Sequence, residues 1–245
     1  KTVLGRSGNF DGDAVLDILL AQPQTAEFIV AKLWREFVSP EPDAAEVKRI
    51  AGIFRESRFD IRAVLRALLV SDAFYAPRNR AALIKSPVDL VVGTLRQFRF
   101  TTGDVLPFVF AANQFGQALF APPNVKGWPG GEAWINSTTL LARKSFLERL
   151  FRADELRPVL AAVMGDGMEQ PRGVVRIEDG RERFMRAMME IQFDSGHWLA
   201  QFKGDGATGV QRVLLATAPV NTPAPGAQGM ELIRLLTQDP AYQLK

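Results

Sequence analysis

A chain of 245 residues, 47 % of them apolar, can bury a substantial core and falls near the upper size of a single domain, so one or two packed units are allowed. Its 30 Lys and Arg against 27 Asp and Glu leave a formal charge of only +3, too little for the dense basic face that phosphate neutralisation needs, and nucleic acid is not an expected partner. The absence of cysteine removes disulfides, thiolate metal sites and cysteine nucleophiles.

No apolar run approaches the roughly twenty residues of a bilayer span, so no transmembrane segment is expected in this chain. It opens on Lys1 without a signal-like stretch and reads as a fragment whose beginning lies elsewhere.

In chain order, the first two-thirds read as helices separated by Pro and Gly. Asp11 is placed to cap the first, with Phe10 and Val15 at the positions of a hydrophobic staple, and Pro23 ends that run. A second helix is expected from about Gln24 to Phe37, with Phe28, Ile29, Leu33, Trp34 and Phe37 on its apolar side. Pro40 and Pro42 stop it, Asp43 caps a third through Glu56, and Asp60 caps a fourth carrying Ile61, Val64, Leu65, Leu68 and Leu69.

"KSPVDLVVGTLRQF" carries the clearest start signal. Ser86 is the cap, Pro87 the first helical residue and Asp89 the reciprocal partner, ahead of a face of Val88, Val91, Val92, Leu95 and Phe98. A less regular apolar segment follows from Leu106 to Phe120. After Phe151 the composition changes. Only "GVVRIEDG" reads as a strand or hairpin, a helix is expected from about Glu182 to Phe193, and a last one spans Met230 to Leu236 before "DPAYQLK". The expected fold is all-α, a compact multi-helix domain with room for a small β-hairpin in its C-terminal third. Residues 1–157 form the helical core, and a divergent region, 158–245, packs on it within one domain.

His197 is the sole histidine, so no His-based metal cluster is expected and no metal or cofactor is implied. "DGD" and "GDG" lack the ordered ligand series of a calcium loop and read as turns and caps. "GWPGG" lacks the glycine spacing and trailing Lys-Ser/Thr of a phosphate loop. Asp89 and Glu132 are the only carboxylates near the Pro/Gly/Trp segment that suit paired acid–base work, and Asp89 already has a role as a cap.

The segment "PPNVKGWPGGEAWINSTTLLAR" admits two readings. Leu140, Leu147, Leu150 and Phe151 make an apolar stripe with Arg143 inside it, and a guanidinium there must be paired or must line a groove. In one reading Trp128 and Trp134 pin a corner, and Arg143 reaches the loop's carbonyls or a carboxylate such as Asp89 or Glu132. In the other, Lys126, Trp128, Glu132, Trp134 and Arg143 line a ligand-binding groove.

"NFDGDAVLDILLAQPQTAEFIVAKLWREFV", "FRESRFDIRAVLRALLVSDAFY", "LIKSPVDLVVGTLRQ" and this segment, in that order, resemble the C-terminal half of the bacterial family known as domain of unknown function 1800. "DPAYQLK" is similar to that family's usual ending. The resemblance covers about two-thirds of the chain, and Pro158 to Gln228 matches poorly. It implies a helical protein with an export signal, located in the periplasm or cell envelope, often encoded beside a twin-arginine-exported sulfatase-like partner. It brings no catalytic residue. The expected function is a non-enzymatic exported or envelope-associated module that binds a protein partner or surface polymer. The alternative is a hydrolase-like enzyme with Asp89, Glu132 and Arg143 around a Trp-lined cleft.

Overall fold

The computed structural model describes residues 1–153, 186 and 190–245. "GVVRIEDG" and most of the helix expected over 182–193 lie outside them. The chain divides into two compact units, Lys1–Leu83 and Ile84–Lys245. The fold is mostly helical with a small two-stranded antiparallel sheet.

That sheet lies at the start of the first unit. β1 (Thr2–Val3) pairs with β2 (Arg6–Ser7) in the register Thr2 to Ser7 and Val3 to Arg6. Leu4 and Gly5 both have positive φ, 46° and 79°, which is the backbone of a two-residue hairpin turn. Helices α1 (Gly12–Leu20), α2 (Pro23–Phe37), α3 (Ala44–Glu56), α4 (Ile61–Leu69) and the single turn α5 (Asp72–Tyr75) follow.

Asp11, Asp43 and Asp60 accept first-turn amides as their positions predict, whereas Pro23 opens α2 instead of only closing the run before it. Ala26, Val30 and Trp34, spaced by four, form the buried stripe of α2. Phe28 sits roughly 200° around the helix from Ala26 and is 58 % exposed, and Phe37 at the helix end is exposed too, so the expected apolar side is corrected at both positions. Val38, Val47, Ile50, Ala51, Phe54, Val64, Leu68 and Ala73 complete this core.

Helix α3 shows how its end is fixed. The Phe59 amide donates to the Phe54 carbonyl and the Arg58 amide to that of Arg55, while the Phe54 and Phe59 rings meet edge-on at 5.0 Å. These are the two bonds and the hydrophobic contact of a Schellman stop, made here with Arg58 in the left-handed region.

The second unit holds α6 (Pro87–Gln97), α7 (Leu106–Gln114), α8 (Ser137–Phe151), α9 (Ser195–Ala200), α10 (Gly206–Leu214) and α11 (Gly229–Gln238). The predicted capping box is present: Ser86 Oγ accepts from the Asp89 amide, and the Asp89 carboxylate accepts from the Ser86 amide, both at 3.1 Å. Leu90, Val91, Thr94 and Phe98 are buried, but Val92 is exposed, against its expected place on the apolar face. Gln117 extends this start by accepting from the Val88 amide at 3.1 Å.

Helix α8 packs on α11, so residues on both sides of position 157 share one core. Phe98, Phe100, Phe151, Phe193 and Trp198 form a ring cluster in it, with Trp198 stacked on Phe98 at 4.7 Å. Among the described residues no single helix is long and apolar enough to cross a membrane; α1 and α2, bent by 69°, meet the length and composition only as a pair.

Candidate functional site

The Pro/Gly/Trp segment is a corner held by Trp134. Gly127, Gly130 and Gly131 take positive φ, and the last four residues before Ile135 wind into a 3-10 turn, Gly131–Trp134. Trp134 is buried, and its ring lies 3.9 Å from the space a side chain on Gly116 would occupy. Asn136 caps α8 through the Thr139 amide, Thr139 Oγ1 bonds back to the Asn136 amide, and the same hydroxyl donates to the Trp134 carbonyl at 3.0 Å. The corner and the helix are thus one hydrogen-bonded piece. Trp128 is only half-buried, while Lys126 and Glu132 are exposed.

Arg143 leaves this corner altogether. It is 0 % exposed, and its Nη1 donates to the Lys85 carbonyl at 3.0 Å and to Gln243 Oε1 at 3.2 Å. The expected bond to the loop or to a carboxylate is therefore replaced by one to the stretch before α6 and one to the 3-10 turn Pro240–Gln243. The reason is topological. Residues 84–85 and the chain's last residues run antiparallel, with Ile84 bridged to Leu244 and the Lys85 amide bonded to the Gln243 carbonyl at 2.7 Å, and this ribbon presents acceptors to α8. Among the described residues, Nε and Nη2 of Arg143 and Nε2 of Gln243 are buried without a hydrogen-bond partner.

A polar network surrounds the ribbon. Tyr242 is buried, shares a hydrogen bond with Thr94 at 2.9 Å and lies under the Lys85 ammonium, 3.7 Å from ring centre to Nζ. Lys245 pairs with Asp89. Asp239, 2 % exposed, accepts from the amides of Val220, Asn221 and Ala241 and so ties the preceding loop to the turn.

Electrostatics follow from burial. Desolvation pulls Arg143 down to about 10 against the opposing field of Asp89. It pulls Lys85 down to about 8, with Asp89 resisting and Lys245 assisting. Burial pushes the Asp89 carboxyl up, but the bond and charge of Lys245 with the bonds from Ser86 outweigh it and hold the group below the usual carboxylate range. The Tyr242 phenol is raised by burial, against its bond with Thr94.

A lysine whose folded-state pKa, about 8, lies below its ordinary 10.5 binds fewer protons folded than unfolded between those values. Stability then rises with pH in that window, because the cost of burying the charge disappears as Lys85 deprotonates. Denaturant unfolding at pH 8 to 9.5 is expected to show a greater gain in stability with pH for the parent chain than for Lys85→Met. Parallel profiles would contradict the burial of that charge.

The structure therefore brings Arg143 together with Lys85 and Gln243, and ties Trp134 to the start of the same helix. It joins neither Lys126 nor Glu132 to Arg143 by a hydrogen bond or ion pair. Sequence reasoning missed Lys85 and Gln243 as the partners of Arg143, and the tail "DPAYQLK", which carries Gln243, was the available signal for the second. Among the described residues no group of three or more His, Asp or Glu side chains is placed to hold a metal ion.

In comparison with known proteins, the family model described as protein of unknown function DUF1800 matches residues 1–244. The match includes the stretch Pro158 to Gln228, which corrects the expectation of a resemblance confined to two-thirds of the chain and to a C-terminal half. No curated protein and no solved structure matches the chain.

Proposed function

The chain belongs to the DUF1800 family, and we propose that it acts as a non-enzymatic, exported or envelope-associated helical module that binds a protein partner through the segment around Phe120. One observation carries this reading. Phe120 is 97 % exposed and is held at a φ of 63°, a left-handed backbone that costs a bulky residue roughly 1–2 kcal/mol. A strained aromatic in water stabilises nothing in its own chain. Exposed Val105, Phe110, Leu119 and Val125 lie in the same stretch of sequence, which favours an interaction surface over a solvated loop.

The hydrolase-like alternative requires Asp89 and Glu132 to act together. Asp89 is engaged by Lys245 and by the Ser86 amide, and Glu132 stands exposed on the corner, an arrangement that favours binding over acid–base chemistry. A periplasmic or envelope location and a twin-arginine-exported sulfatase-like partner belong to this proposal as the first possibilities to test.

The test is affinity isolation from the native source with the parent chain and with Phe120→Ser/Val125→Ser. A protein recovered with the parent and at least tenfold depleted with the variant supports the proposal, provided the variant keeps its helical signal. Equal recovery overturns it, and depletion of a polysaccharide alone points to a surface polymer instead.

A further inference from the structure

The aromatic cluster of the second unit does not close on itself. It borders a cavity of about 90 Å³ whose floor is Leu150, Phe151, Ala153 and Ile191, all buried, and whose rim includes Phe100, Phe193 and Ser195, all half-buried. Packed interiors keep few voids larger than a water molecule, so a space of this size behind a half-buried rim is unusual.

The rim is braced. Thr101 and Gln192 form an antiparallel bridge, with the Thr101 amide donating to the Gln192 carbonyl at 3.1 Å and the Gln192 amide to the Thr101 carbonyl at 2.9 Å, which sets Phe100 and Phe193 beside each other. Their rings meet at 4.9 Å, and each also meets Phe151, at 5.5 and 6.0 Å. Ring stands against ring around the space.

The lining selects the occupant. None of the described lining side chains carries a charge, and Ser195 alone among them carries a hydroxyl. An ionic group would lose its hydration there without replacement, whereas hydrocarbon gains from the transfer. A cavity of about 150 Å³ with an apolar lining holds the six carbons of benzene, and on that scale about 90 Å³ holds three or four.

We propose that this cavity is a binding site for a small neutral amphiphile, its aliphatic end of three or four carbons on the floor and a hydroxyl or carbonyl oxygen at Ser195. The site is separate from the Phe120 surface and does not rest on the reading of that surface.

The test is a ligand-observed NMR titration of the full chain with ethanol, 1-propanol, 1-butanol and 1-hexanol. Each carbon added up to 1-butanol is expected to tighten binding about fourfold, the gain of one buried methylene, and 1-hexanol is expected to bind no better than 1-butanol because its further carbons stay outside. Ala153→Leu, which fills the floor with carbons of its own, is expected to lose the dependence on chain length while keeping the helical signal. Ser195→Ala, at the rim, is expected to weaken all four alcohols by a similar factor of a few and to leave the dependence on length intact. A gain that continues undiminished from 1-butanol to 1-hexanol is the behaviour of an open apolar surface and overturns the proposal. So does the absence of any gain from ethanol to 1-butanol, or a gain that survives in folded Ala153→Leu. Affinities unchanged in Ser195→Ala overturn the assignment of the polar end, and that measurement stands even if Ala153→Leu fails to fold.

Discussion

Arg143→Ala is expected to destabilise the unit formed by residues 84–245 by about 3–5 kcal/mol. The substitution removes the guanidinium from a fully buried position and leaves the Lys85 carbonyl and the Gln243 side-chain oxygen without their donor. It also opens space in the α8 stripe, beside Phe146 and Leu147. Arg143→Met keeps most of the volume and removes the charge with its desolvation cost, so its loss is expected to be smaller by about 1–2 kcal/mol. Denaturant unfolding followed by tryptophan fluorescence measures both. A Met variant less stable than the Ala variant would mean that packing around Arg143 has been misread.

Trp134→Ala is the second large effect, about 3–5 kcal/mol as a large-to-small change in a core. Trp134 is buried at the end of the corner, Gly116 backs onto its ring, and Thr139 links its carbonyl to the cap of α8. Trp128→Ala is expected to cost clearly less, because Trp128 remains half-exposed. The same unfolding measurement separates the two, and equal losses would contradict the assignment of Trp134 as the residue that pins the corner.

Much of this was legible in the sequence where the signal is local. Ser86, Pro87 and Asp89 announce the start of α6 because a cap, its proline and its reciprocal carboxylate lie within four residues. The position of Arg143 inside an apolar stripe was equally plain from helical spacing, and its burial follows. What the spacing cannot carry is the identity of the partner. Lys85 and Gln243 stand 58 and 100 residues away from Arg143, and only the antiparallel ribbon at Ile84 and Leu244 brings them to it.

Phe28 and Phe37 illustrate the opposite limit. Hydrophobic identity placed them with Trp34, yet the stripe that packs is Ala26, Val30 and Trp34, where a small residue admits a close helix neighbour. Phe120 could not be read as exposed either, since its left-handed backbone is set by the turn that follows α7 and not by its own preference. The hairpin among the described residues rests on Leu4 and Gly5 at the start, while the one expected at "GVVRIEDG" lies outside them.

The central claim, that the segment around Phe120 is a surface for a protein partner, is tested most directly by site-specific crosslinking. Phe120→p-benzoylphenylalanine is introduced in the chain within its native cells, which are then irradiated and analysed by denaturing electrophoresis. The account predicts a discrete heavier band containing a second protein, absent when the same probe replaces Tyr75, an exposed aromatic in the other unit. Irradiation that yields no adduct at position 120, or the same adducts from both positions, would contradict it.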